Sequence, residues 1–243
     1  MKIGIDLGGT KTEGILIDSS GSELTRKRIN TEKNYQGTMD GIVSLIKEFE
    51  NDFGDVESIG VGMPGCVSQD SSLVKNANSV WLNGKPLKID LENTLKRKVI
   101  LENDANCFAL SEAIDGAGTH YKIVYGIILG SGVGGGLVID KKIITGSNGV
   151  AGEWGHNQIP YFAAKKENFD SSNAREAEIE SFLSGLSLAK RFKKLYGKNL
   201  KTNEIFELNR KHDLDAERFI DDFKVNLAMS LSSIINILYL YPF

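Results

Sequence analysis

Apolar and polar positions alternate over residues 2–7 (KIGIDL), which predicts a strand. Residues 8–12 follow as a turn, and residues 13–18 (EGILID) predict a second strand. A turn signal at Ser19-Ser20-Gly21 and a third strand over 23–29 complete an antiparallel meander. Over residues 37–50, Met39, Ile42, Val43, Leu45, Ile46 and Phe49 recur at helical spacing. Residues 58–62 read as a buried strand leading into Met63-Pro64-Gly65. A short strand over 99–101 runs into Glu102-Asn103-Asp104, where a helix begins with Phe108, Ala109 and Ala113 on one face.

The pattern then restarts. Residues 123–129 (IVYGIIL) predict a strand, 130–136 (GSGVGGG) a glycine loop and 137–140 a second strand. A strand–glycine turn–strand unit thus occurs twice, at 3–18 and 123–140, which predicts two related halves. After Gly146 the chain reads as loop to about residue 170 and then as mostly helix. The last helix, about 214–238, carries Phe219, Phe223, Leu227, Leu231, Ile234, Ile235 and Leu238 as an apolar stripe.

Composition narrows the function classes. The 243 residues suffice for one large domain or two small ones, and the net charge of −3 points to neither nucleic acid nor an acidic membrane. No apolar run reaches the length of a membrane span, and no secretory signal precedes the first strand, so a cytoplasmic enzyme is expected. The two cysteines, Cys66 and Cys107, offer no disulfide framework.

The candidate chemistry sits in the glycine turns and the strand ends. In Asp6-Leu7-Gly8-Gly9-Thr10-Lys11-Thr12, residues without Cβ atoms let backbone N–H groups approach phosphate oxygens. Thr10, Lys11 and Thr12 add donors, and Asp6 can hold Mg²⁺ through water. A plain hairpin turn is the other reading. The second turn, Gly130-Ser131-Gly132-Val133-Gly134-Gly135-Gly136, leads into a strand rather than a helix, so it is not a dinucleotide fingerprint. Two such turns suit phosphate held from both sides. Asp104, at a strand-to-helix junction, is either a proton acceptor for a substrate hydroxyl or a helix N-cap. Glu153 and His156, three apart among glycines, can present polar groups to one ligand, or His156 is structural. Glu180 alone reads as a helix-surface residue.

Together these segments resemble the ROK family of sugar kinases and repressors, and within it the fructokinase and mannokinase branch. The stretches are IGIDLGGTKTEG (3–14), GVGMPG (60–65), VKNANSVWLNG (74–84), ENDANCFALSEA (102–113), ILGSGVGGGL (128–137), GVAGEWGHNQIP (149–160) and IESFLSG (179–185). The resemblance implies an α/β, actin-like (ribonuclease H-like) two-domain kinase fold. Residues 1–115 would form the sugar-side domain and 116–243 the nucleotide-side domain, with hexose and ATP between the halves. It implies Asp104 as general base. Asn103, Glu153, His156 and Glu180 would bind sugar hydroxyls, with Gly65 and an asparagine of Asn76-Ala77-Asn78 on the other wall. Residues 8–12 and 130–134 would hold phosphates. Fructose or mannose is the leading substrate. N-acetylglucosamine is the alternative, and a sugar-binding remnant without catalysis the rival from another class. The resemblance also allows a homodimer. It speaks against a repressor, because only two residues precede Ile3.

Two departures from the family pattern alter the expectations. The family usually carries a zinc loop of one His and three Cys between the motifs at 149–160 and 179–185. Here His156 remains but residues 171–178 (SSNAREAE) hold no cysteine, so no zinc is expected. Relatives also continue beyond a segment like Ser233–Leu238 into further strands and an adenosine-binding turn. The nucleotide-side domain is therefore expected to be incomplete, with part of the Phe219–Leu238 stripe uncovered.

Overall fold

Strands β1 (Lys2–Leu7), β2 (Lys11–Ile17) and β3 (Glu23–Asn30) form the expected meander, followed by helix α1 (Tyr35–Phe53) and strand β4 (Ser58–Met63). This computed structural model describes residues 1–159, 177–238 and 240. The chain divides into two units, Met1–Phe108 with Thr145–Ala151, and Ala109–Ile144 with Gly152–Phe243.

In the first unit, a five-stranded sheet has the order β3-β2-β1-β4-β7, with β7 at Ile100–Asn103. β1 runs antiparallel to β2 but parallel to β4, and β4 runs parallel to β7. The alternation read in the sequence now has a cause. Ile3, Ile5 and Leu7 are buried together with Ile42, Leu45, Ile46 and Phe49 of α1. Each such side chain contributes roughly 1.5–3 kcal/mol on burial. Helix α1 starts where the Asn34 side chain accepts the Gly37 N–H at 2.8 Å. A short hairpin, β5 (Cys66–Val67) with β6 (Val74–Lys75), and helix α2 (Leu87–Leu95) lie between β4 and β7. Helix α3 (Asp104–Ile114) leaves the end of β7.

In the second unit, β8 (Ile123–Leu129), β9 (Val133–Ile139) and β10 (Lys142–Ile143) make an antiparallel sheet of order β10-β9-β8. The glycine loop is shorter than the sequence suggested. Strand β9 begins at Val133 rather than at 137, so Gly134, Gly135 and Gly136 are strand residues paired with β8. The Trp154 indole N–H donates to the Gly134 carbonyl at 2.7 Å, so the ring lies across this strand, where the glycines leave room. Helices α4 (Ile179–Leu183), α5 (Gly185–Tyr196), α6 (Thr202–Arg210) and α7 (Leu214–Leu238) follow.

Helix α7 uses its stripe within its own unit. Phe219 and Ile220 are buried with Leu188, Phe192 and Ile205. Phe223, Leu227, Leu231 and Ile234 pack against Val133, Trp154 and Phe182. Ile237 stays 80% exposed. Among the described residues no helix is long and apolar enough to cross a membrane.

Candidate functional site

The parallel strands β1, β4 and β7 end together, and most of the expected residues of the first unit sit at those ends. Register alone aligns Asp6 with Gly62 and Gly62 with Glu102, and sets Met63 beside Asn103. In open α/β sheets this carboxyl edge is where ligands bind.

The first glycine turn is braced from within. Gly8 N–H donates to the Lys11 carbonyl at 3.1 Å and closes the turn. The Thr31 hydroxyl donates to the Gly8 carbonyl at 2.8 Å and shares a further 2.8 Å hydrogen bond with the Thr12 hydroxyl. Thr12 is buried, so its hydroxyl braces the turn, while Gly9, Thr10 and Lys11 face solvent.

Asn103 is the pivot of the next junction. Its carbonyl oxygen accepts the Asn106 N–H at 3.1 Å, which caps α3. Its amide donates to the Gly65 carbonyl at 3.0 Å. Gly65 has φ +83°, and a Cβ there would stand 2.5 Å from the Lys75 carbonyl and 2.7 Å from Ala77 N, so the position requires glycine. Asn76 and Asn78 are exposed on either side of buried Ala77. Ala77 is held at both its N–H and its carbonyl by the Asn83 side chain, at 2.9 and 3.0 Å.

Because Asn103 caps the helix, Asp104 does not have to. The Asp104 carboxylate accepts the adjacent Ala105 N–H at 2.9 Å. Solvent reaches it, yet the protein around it removes enough water to raise its pKa. The negative charge of Asp6 raises it further, against the lowering effect of the Ala105 hydrogen bond. Asp6 is raised in the same way, first by burial and then by Glu13, with Arg28 opposing. The same surroundings push the Cys107 thiol up to about 11, through burial and then Glu102, Asp104 and Asp6. A carboxylate whose pKa its neighbour's negative charge raises is suited to a nearby cation.

In the second unit, Gly130 N–H donates to the Gly132 carbonyl at 2.9 Å, and the Gly130 carbonyl accepts Gly185 N–H, at the start of α5, at 2.8 Å. Ser131 is exposed at the tip. Glu180, in the first turn of α4, accepts the Val133 N–H at 2.8 Å. A Cβ on Gly132 would stand 2.6 Å from that carboxylate, so glycine permits the approach. Glu180 is thus tied to the glycine turn, a link invisible in the sequence. Arg191 of α5 steadies α4: it stacks 3.5 Å from the Phe182 ring centroid and donates to the Phe182 carbonyl at 3.1 Å.

Glu153 precedes, and His156 ends, a 3-10 turn, Trp154–His156. His156 Nδ1 lies 3.0 Å from a Glu178 carboxylate oxygen, and Nε2 lies 3.9 Å from Glu153. The Glu178 hydrogen bond raises the His156 pKa, and burial opposes it. The charges of Glu178, Glu153 and Glu180 add to the rise. Glu178 is the residue that sequence reasoning missed; its only signal was a carboxylate two positions before Glu180.

For metals, Asp6 is the fitting group in the first unit. A single solvent-facing carboxylate suits Mg²⁺, which keeps most of its waters. Zinc does not fit at His156, whose Nδ1 is engaged by Glu178 and whose sequence neighbourhood supplies no cysteine. Residues 171–176 of the expected loop lie outside the described residues, as do Pro160, Tyr239 and 241–243. Among the described residues, no cluster of three His, Cys, Asp or Glu could hold a metal ion.

The family model for ROK matches residues 2–240. The N-acetyl-D-glucosamine kinase of Salmonella typhimurium is 38% identical, over 98% of this chain and 80% of its own length. A ROK hexokinase from Thermus thermophilus aligns with a TM-score of 0.82 at 26% identity, over 97% of this chain and 77% of that one. A ROK glucokinase from Streptomyces griseus, in complex with glucose and AMPPNP, aligns at 0.76 and 26%, over 97% and 79%. With its strand-end carboxylates, its two glycine turns and these relatives, the chain belongs to the ROK family and sits among its sugar kinases.

Proposed function

We propose that this chain is an N-acetylglucosamine kinase that uses ATP and Mg²⁺. The observation that carries the substrate is the 38% identity to N-acetyl-D-glucosamine kinases along nearly the whole chain. That similarity favours N-acetylglucosamine over the fructose or mannose suggested by the VKNANSVWLNG stretch.

In this reading Asp104 accepts the proton of the sugar hydroxyl whose oxygen attacks phosphorus. Phosphoryl transfer asks mostly for positioning and charge neutralisation, plus one proton acceptor. Asp104 suits that task because Asn103 takes the Asn106 N–H of α3, the Asp104 carboxylate remains exposed, and its proton affinity is raised. Asn103 keeps Asp104 aimed by capping the helix and gripping Gly65. Glu153, His156 and Glu180 bind sugar hydroxyls, together with Gly65 and Asn76 or Asn78. Gly9, Thr10 and Lys11, with Gly130, Ser131 and Gly132, hold phosphates. Asp6 holds Mg²⁺ through water, and the ion, when bound, offsets phosphate charge.

The test is a coupled ADP-release assay over N-acetylglucosamine, N-acetylmannosamine, glucose, fructose and mannose. The reading predicts the highest kcat/KM with N-acetylglucosamine. A preference for fructose or mannose restores the other kinase reading. Sugar binding by calorimetry without any turnover supports the non-catalytic one.

A further inference from the structure

The His156 ring needs an anchor if one of its nitrogens is to meet a substrate hydroxyl in a fixed direction. Its side chain is 61% exposed and sits in a short 3-10 turn, so packing alone does not orient it. The neighbouring chain does. Gln158 and Glu178 form an antiparallel bridge. It is flanked by Ile159 N–H to the Ala177 carbonyl at 2.8 Å and Ile179 N–H to the Asn157 carbonyl at 2.9 Å. Ala177 and Ile179 are buried, which turns the side chain between them the other way. His156 stands two residues from Gln158, the diagonal neighbour of Glu178 across the bridge. The result is the 3.0 Å contact between Nδ1 and the Glu178 carboxylate.

We propose that Glu178 is a positioning residue for sugar binding: its carboxylate accepts a hydrogen bond from His156 Nδ1–H and so presents Nε2 to a sugar hydroxyl. A carboxylate accepts, so the contact sets the tautomer with the proton on Nδ1 and leaves Nε2 as an acceptor when the ring is neutral. The Glu153 oxygen, 3.9 Å from Nε2, is too far for a direct hydrogen bond. Glu178 thus gives the ring a fixed orientation where zinc does not fit. The same short segment delivers Glu180 to the Val133 N–H, so one bridge registers two site residues.

This inference rests on the reading that His156 binds the sugar, and the experiment separates the two. The ¹⁵N shifts of the His156 ring in the full chain, without ligand, report the tautomer. The wild type is expected to carry its proton on Nδ1. Glu178→Ala is expected to move it toward the Nε2–H form and to raise the sugar KM about tenfold, as loss of a histidine's orienting partner does. The ATP KM should stay unchanged. Glu178→Gln keeps an acceptor and should recover most of both effects. An Nε2–H ring in the wild type overturns the proposal, whether or not any variant folds. So does an unchanged sugar KM in folded Glu178→Ala. If no sugar turns over at all, the kinase reading fails while the ring spectrum still decides the Glu178 contact.

Discussion

The carboxylate of Glu180 accepts the backbone N–H of Val133 at 2.8 Å, which ties a residue expected to bind sugar to the glycine turn expected to hold phosphate. The turn is therefore shaped by a side chain from α4 as well as by its own glycines. Glu180→Ala should free the turn and raise the KM for both sugar and ATP, each about tenfold, from loss of a charge-assisted hydrogen bond. Glu180→Gln retains an acceptor and should spare the ATP KM while still weakening the sugar. Steady-state kinetics on both variants check this. An ATP KM unchanged in Glu180→Ala would mean that the turn holds its shape without the carboxylate.

The division of labour between Asn103 and Asp104 makes opposite predictions for stability. Asn103→Ala removes the cap on Asn106 N–H and the grip on the Gly65 carbonyl, and should cost about 1–2 kcal/mol. Asp104→Asn removes a charge whose ionised form burial disfavours, while its amide oxygen can still accept the Ala105 N–H, and should leave the protein at least as stable at neutral pH. Urea melts of the two variants distinguish these outcomes.

The pH dependence follows from the direction of the Asp104 shift. Burial and Asp6 raise its pKa, so the folded state holds this proton more tightly than the unfolded chain. The contribution to stability is full below the unfolded pKa and fades as pH rises through the folded one. Activity runs the other way, because a base must be deprotonated. Turnover should fall on the acid side with a midpoint above the ordinary aspartate range, and Asp6→Asn should move that midpoint down. A pH–kcat/KM profile measures it.

Gly65→Ala combines a left-handed backbone with a Cβ 2.5 Å from the Lys75 carbonyl. The backbone strain alone should cost roughly 1–3 kcal/mol, with the collision added. Because Asn103 holds the Gly65 carbonyl, the same change should lower kcat in whatever protein still folds. Thermal melting and turnover per folded molecule read the two effects.

Local pattern made much of the fold legible. Strands β1 and β2 alternate because one face meets α1, and α7 announces itself by its apolar stripe. The glycine loop read over 130–136 ends at Gly132, where β9 takes over at Val133. Three of its glycines look like turn residues in isolation, and only the Trp154 indole, distant in sequence, explains their place in a strand. At the candidate site the residue types were legible but their partners were not. An aspartate at a helix start reads as a cap until the preceding asparagine is seen to take that bond. Thr12 reads as a phosphate donor until Thr31, on the strand-to-helix connection, is seen to occupy it. Glu178 gave no signal because its meaning depends on a two-residue bridge to a segment about twenty positions earlier.

The most direct measurement is the turnover of N-acetylglucosamine with Mg-ATP by the wild type and by Asp104→Asn, with sugar affinity measured alongside by calorimetry. If Asp104 is the base, the variant should lose at least about 10²-fold in kcat, the scale of general-base loss, while its sugar affinity stays near that of the wild type. A folded Asp104→Asn enzyme that phosphorylates the sugar at the wild-type rate would contradict the account.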